Sequence, residues 1–163
     1  GKSICENDCE HLIKEILENS TKYNCKITCP VDVVVSKNFE DTGVEKNIEA
    51  VNDDEMILDI GSKTISCINM IIAHSNTVLW NGPAGYFENP KFQNGTKKIL
   101  EIIAQKTIND KIFSVAGGGE TVAAINKFKK IDSFTFVSTA GGAFLEYLEG
   151  KTLPGIKALT QNV

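Results

Sequence analysis

The chain has 163 residues, a net charge of −4 and 42% hydrophobic content, the size and balance of one globular domain with one core. No apolar run approaches the roughly 20 residues of a membrane span, and the acidic balance argues against a nucleic-acid partner, whose binders present basic faces. All 17 basic residues are Lys, so any phosphate must be met by backbone amides, helix ends, Lys or metal rather than by a guanidinium fork.

Residues 7–22 read as a helix with Asn7 or Asp8 as N-cap and Leu12, Ile13, Ile16 and Leu17 on one face. Residues 26–35 read as a β-branched strand with Pro30 at an irregular position. An acidic loop follows over 37–56, with 44–51 as the candidate strand of a small hairpin. Ile65, Ile68, Ile71 and Ile72 recur at helical spacing, predicting a helix over 63–75 with Ser62 as N-cap.

Residues 77–80 form a short buried strand that runs into Gly82-Pro83-Ala84-Gly85. Asn89-Pro90 has the form of an N-cap with proline at the first helical position, opening a helix to about 106. Residues 112–116 are the next strand, followed by Gly117-Gly118-Gly119 and a helix over 121–128. Residues 134–138 are the last strand, followed by Thr139-Ala140-Gly141-Gly142 and a helix to Glu149, which Gly150 stops.

Strand, glycine turn and helix in repetition predict an α/β fold with a parallel sheet. The three glycine turns then share the carboxyl edge of that sheet, where open α/β sheets bind ligands. A helix start offers unpaired N–H groups and partial positive charge to an anion, and glycine lets the backbone approach it. There is no Walker A string, and Gly117-x-Gly119 leads to Val122, so the dinucleotide fingerprint fails as well. The residues alone point to a phosphate or nucleotide binder of unspecified kind.

Five cysteines, an odd number, and a start without an apolar leader suggest reduced thiols and a cytoplasmic setting. Cys25 and Cys29, on a strand-like run, would stand roughly 13 Å apart, too far to share one zinc. His11 and His74 have no partner in the pattern. Trp80 reads as core and Lys63 as a solvated helix-start residue. The start without Met reads as the beginning of a piece of a longer protein.

Five strings, in order, resemble phosphoglycerate kinases: PVDVVV at 30–35, LDIGSKT at 58–64, WNGPAGYFE at 80–88, GGGET at 117–121, and STAGGA at 138–143 with LEYLEGKTLPG at 145–155. The resemblance implies residues 1–163 of a partial C-terminal nucleotide-binding domain, Rossmann-like and three-layered, from a two-domain kinase. Its first two strands would be absent, with the 26–35 strand in the same sheet order across their gap. The substrate domain, which binds phosphoglycerate through a basic patch, would be absent too.

That family moves a phosphoryl group reversibly from 1,3-bisphosphoglycerate to ADP, with Mg2+ accompanying ADP or ATP. Carried over, Glu88 would hydrogen-bond the ribose hydroxyls, Asn81 would lie near the phosphates, and Leu58, Pro83 and Tyr86 would line the ribose and base. Gly118, Gly119, Glu120 and Thr121 would hold phosphates and magnesium, with Glu120 as the metal residue. Gly141 and Gly142 would aim amides at the phosphoryl group in flight.

Departures from the family pattern are Glu120 for Asp, Ala140 for the first glycine of a triplet, Tyr86 for a small aliphatic residue, Ile57 for glycine and Ser62 for proline. The intact enzyme is expected to be a monomer, and the isolated stretch inactive. A nucleotide module without catalysis, or an interaction piece with degenerate sites, are the alternatives.

Overall fold

The computed structural model describes residues 1–160. Helix α1 (Glu10–Lys22) buries none of its residues, and its apolar side chains Leu12, Ile13, Ile16 and Leu17 are exposed. It starts later than the pattern predicts, with Cys9 at the cap position; Asp8 has a positive φ of 59° and lies outside the helix.

Strand β1 (Asp32–Ser36) lies between β2 (Val44–Asn47) and β3 (Met56–Ile60), antiparallel to both. This corrects the expectation that the 26–35 strand joins the parallel order across a gap. The link at 37–43 is shorter than the dozen or so residues of a parallel crossover, so β1 and β2 pair antiparallel, and β3 takes the other edge of β1. The predicted 44–51 strand ends at Asn47 in a 3-10 turn, Ile48–Ala50. β3, most of which lies beyond the 37–56 loop in a stretch to which the pattern assigns no element, is a regular strand whose last three residues are buried.

The second sheet is parallel, in the order β4 (Thr77–Asn81), β5 (Phe113–Gly117), β6 (Phe136–Val137). Helix α3 (Asn94–Asp110) connects β4 to β5, and α4 (Gly119–Lys127) connects β5 to β6. α2 (Ser62–Ala73) leads from the antiparallel sheet into the parallel one. The α/β expectation with a parallel sheet holds. α5 (Gly142–Leu148) and α6 (Pro154–Thr160) complete the described chain. Gly150 follows α5 at φ 80°, and the amides of Gly150 and Lys151 bond back to Tyr147 and Glu146, the glycine stop that the sequence predicts.

One core joins the two sheets. Ile60 of β3 and Ile72 of α2 pack with Trp80, Phe87, Leu100, Ile103, Ile125 and Phe134. Trp80 stacks on Phe134 at 6.0 Å and donates its indole N–H to the Gly82 carbonyl at 2.9 Å, so it is a core residue whose polar edge ties down the glycine turn after β4.

Candidate functional site

β4, β5 and β6 end at one edge because they are parallel and in register: Asn81 pairs with Gly117, and Ala116 with Val137. The glycine turns that follow them therefore converge. Gly118 has φ 88° and Gly141 φ 58°, backbone that L side chains rarely adopt. These two turns face each other across a cavity of about 170 Å³, lined by Gly118, Gly119, Val122, Ser138, Thr139 and Gly141. Ser138 and Thr139, to which the sequence assigned no role, stand where β6 opens into its turn.

The start of α4 is uncapped by any side chain. Its first backbone bond is Val122 N–H to the Gly118 carbonyl. The amides of Gly119, Glu120 and Thr121 find no acceptor among the described residues, and they are the donors that a helix start holds out to an anion. A Cβ at Gly119, Gly141 or Gly142 would meet nothing within 4 Å. At Gly119 and Gly142, where φ is not positive, nothing inside the chain requires glycine.

Asn81 and Thr121 brace the first turn. A Cβ at Gly118 would lie 2.6 Å from Asn81 Oδ1, so the Asn81 amide lies against the loop. Thr121 is buried, and its hydroxyl accepts the Gly82 N–H at 2.7 Å. Glu120 is exposed on the first turn of α4 and is the carboxylate beside the open amides.

The segment 82–88, with Pro83, Tyr86 and Glu88, is anchored along its whole length. Thr96 Oγ1 accepts from Ala84 N–H at 3.0 Å and Gly85 N–H at 3.3 Å. Tyr86 N–H donates to the Leu58 carbonyl at 2.8 Å, so Leu58 meets this segment through β3. Its own side chain is buried. Lys127, on the last turn of α4 about 12 Å along the axis from its start, donates to the carbonyls of Phe87 at 2.5 Å and Glu88 at 3.2 Å. Glu88 is exposed. Tyr86, 43% exposed, meets Phe39 edge-on at 5.4 Å.

The sequence reading singles out none of the three buried acids, Asp32, Glu55 and Asp59, of which Asp32 and Asp59 sit at helix starts. Asp32 of β1 accepts from the Lys63 amide at 2.9 Å, the Thr64 amide at 2.8 Å and the Thr64 hydroxyl at 2.6 Å. It caps α2 in place of the expected Ser62. Burial works against its ionisation, but these hydrogen bonds outweigh burial and hold its carboxyl below its ordinary value. Asp59 of β3 accepts from Gly95 N–H at 2.8 Å, in the first turn of α3, and from Ile60 N–H at 2.9 Å. Burial raises its carboxyl above the ordinary value, and the amides offset only part of that.

For a magnesium–nucleotide, the donor chemistry present is amides for phosphate oxygens and one exposed carboxylate. Magnesium is commonly held by one or two carboxylates together with substrate phosphates and water, so the residues fit. No group of three or more His, Cys, Asp or Glu side chains able to hold a metal occurs among the described residues, and the five cysteines are free thiols.

Fold and site define an α/β domain of the open-sheet class, with its candidate ligand rim at the carboxyl ends of the parallel strands. The model of one family, phosphoglycerate kinase, matches residues 1–151; the chain belongs to the phosphoglycerate kinase family. It is 45% identical over 160 residues to a phosphoglycerate kinase of Wolbachia pipientis subsp. Culex pipiens, covering 97% of this chain and 40% of that protein. With the phosphoglycerate kinase of Bartonella quintana it shares 45% identity over 163 residues, covering 99% of this chain and 41% of the relative. The structure of phosphoglycerate kinase from Coxiella burnetii superposes with a TM-score of 0.91 at 41% identity, over 99% of this chain and 41% of the other. That from Pyrococcus horikoshii superposes at 0.71 and 30% identity, over 95% and 40%. The chain thus spans about two fifths of the length of the relatives it matches.

Proposed function

We propose that this stretch belongs to a C-terminal nucleotide-binding domain. It supplies the magnesium–nucleotide half of reversible phosphoryl transfer from 1,3-bisphosphoglycerate to ADP, giving ATP and 3-phosphoglycerate. The carrying observation is the open α4 start at Gly118–Gly119, which shares one cavity with the Gly141 turn. Such transfer asks for alignment and charge stabilisation more than covalent chemistry.

In this reading the amides of Gly118, Gly119 and Thr121 hold the nucleotide phosphates, with Asn81 bracing the loop. The amides of Gly141 and Gly142 meet the charge of the group in transfer. Glu120 holds the cation, directly or through water. Leu58, Pro83 and Tyr86 flank base and ribose, and Glu88 accepts from the ribose hydroxyls. Magnesium, when bound, neutralises phosphate charge. Phosphoglycerate is held by the family's basic N-terminal domain, outside these residues. No described helix is long and apolar enough to cross a membrane, and nucleotide and phosphoglycerate are the partners expected of a cytoplasmic enzyme.

A second reading, binding without transfer, is favoured by Glu120 standing where the family carries Asp, because one more methylene shifts the carboxylate by over ~1 Å. A coupled ATP/3-phosphoglycerate assay separates the two. Turnover is expected from the longest natural chain that contains these residues, and none from residues 1–163 alone. Absence of turnover in the former, with Mg-ADP still bound, would select the binding module.

A further inference from the structure

Asp59 is 2% exposed, and no cation pairs with it among the described residues. A buried carboxylate without a counter-charge is unfavourable, yet glycines make room for it on two sides. A Cβ at Gly85 would lie 2.3 Å from Asp59 Oδ1, and one at Gly95 2.2 Å from the same oxygen. The carboxylate therefore stands where β3, the 82–88 segment and the first turn of α3 meet. It takes the Gly95 amide, and the next residue, Thr96, wholly buried, takes the amides of Ala84 and Gly85. β3 itself takes the Tyr86 amide through Leu58.

We propose that Asp59 and Thr96 are positioning residues, a clamp through the first turn of α3 that sets the Ala84–Tyr86 backbone and so the wall formed by Pro83, Tyr86 and Glu88. The proposal rests on the nucleotide reading above. Neither side chain touches the ligand in it. Each acts through the backbone: Asp59 holds α3 in register with β3, and the Thr96 hydroxyl holds the segment to α3. Glycine at 85 and 95 is the other half of the device, because any side chain there displaces the carboxylate.

The test compares Thr96→Val, which keeps shape and removes the acceptor, with Thr96→Ser, which keeps the hydroxyl, and adds Asp59→Asn. All are made in the longest natural chain containing these residues. The expected result is a KM for Mg-ADP at least tenfold higher in Thr96→Val and Asp59→Asn. KM for the phosphoglycerate substrate and kcat stay within about twofold, and Thr96→Ser behaves as wild type. Equal behaviour of the Val and Ser variants, or loss of both substrates together, would overturn the clamp. If Asp59→Asn fails to fold, the Thr96 pair still decides. A wild-type protein that binds no Mg-ADP would instead refute the nucleotide reading.

Discussion

Helices α2 and α3 begin against buried carboxylates, whereas α4 begins against an open cavity with the Gly141 turn across from it. At the first pair, strands β1 and β3 send Asp32 and Asp59 to take the free amides, and glycine is required by crowding. A Cβ at Gly61 would lie 2.3 Å from Asp32 Cγ. At α4 no side chain takes the amides, and Gly119 is glycine with empty space around it. One chain thus closes two helix starts from within and leaves the start of α4 open, the end at which the proposed nucleotide would bind. The contrast separates glycine that crowding inside the fold requires from glycine that nothing inside the chain requires.

The contrast predicts opposite outcomes for one chemical change. Gly95→Ala and Gly61→Ala push a methyl into a buried carboxylate and should lower unfolding free energy by about 1–3 kcal/mol, read by denaturant midpoints. Asp32→Ala strips the cap of α2 and should cost about 0.5–2 kcal/mol by the same measurement, with no change in nucleotide affinity. Gly142→Ala should stay within about 0.5 kcal/mol of wild type. Equal destabilisation at 95 and 142 would erase the distinction.

The two acids also predict opposite pH slopes. Asp32 is held below its ordinary 3.8 in the fold. Its contribution is present above that value and is lost as pH falls through the lower, folded one. Asp59 is raised above 3.8. Between 3.8 and its folded value the unfolded chain releases the proton first, so stability falls as pH rises through that window. Unfolding free energy followed against pH should therefore lose its acid-side drop in Asp32→Asn and its decline above 3.8 in Asp59→Asn. Superimposable profiles of both variants and wild type would remove this part of the comparison.

The open half of the molecule was readable because its signals are local. Glycine directly after a strand and before a helix marks strand end, turn and helix start within five residues, as in 117–121. The closed half was not. Asp32 and Thr64 are 32 residues apart, and Asp59 and Gly95 are 36 apart; no spacing rule links them, and only tertiary packing does. β3 was lost because its five residues sit between an acidic loop and Gly61, too short for a period to emerge. The β1 misplacement shares that origin: a β-branched run announces a strand but not its neighbours, and the pairing of β1 with β3 spans the whole of β2 and both links. Leu58, placed from resemblance, is a buried residue of β3 whose carbonyl holds Tyr86.

Calorimetric titration with Mg-ADP of wild type and Gly119→Ala, in the longest natural chain that holds these residues, bears most directly on the open helix start. Thermal midpoints are measured on the same samples. The expected result is saturable binding by wild type and at least a tenfold loss, about 1.4 kcal/mol, in a variant whose midpoint is unchanged. Equal affinity in the two proteins would mean that the glycine-opened start of α4 does not hold the nucleotide's phosphates.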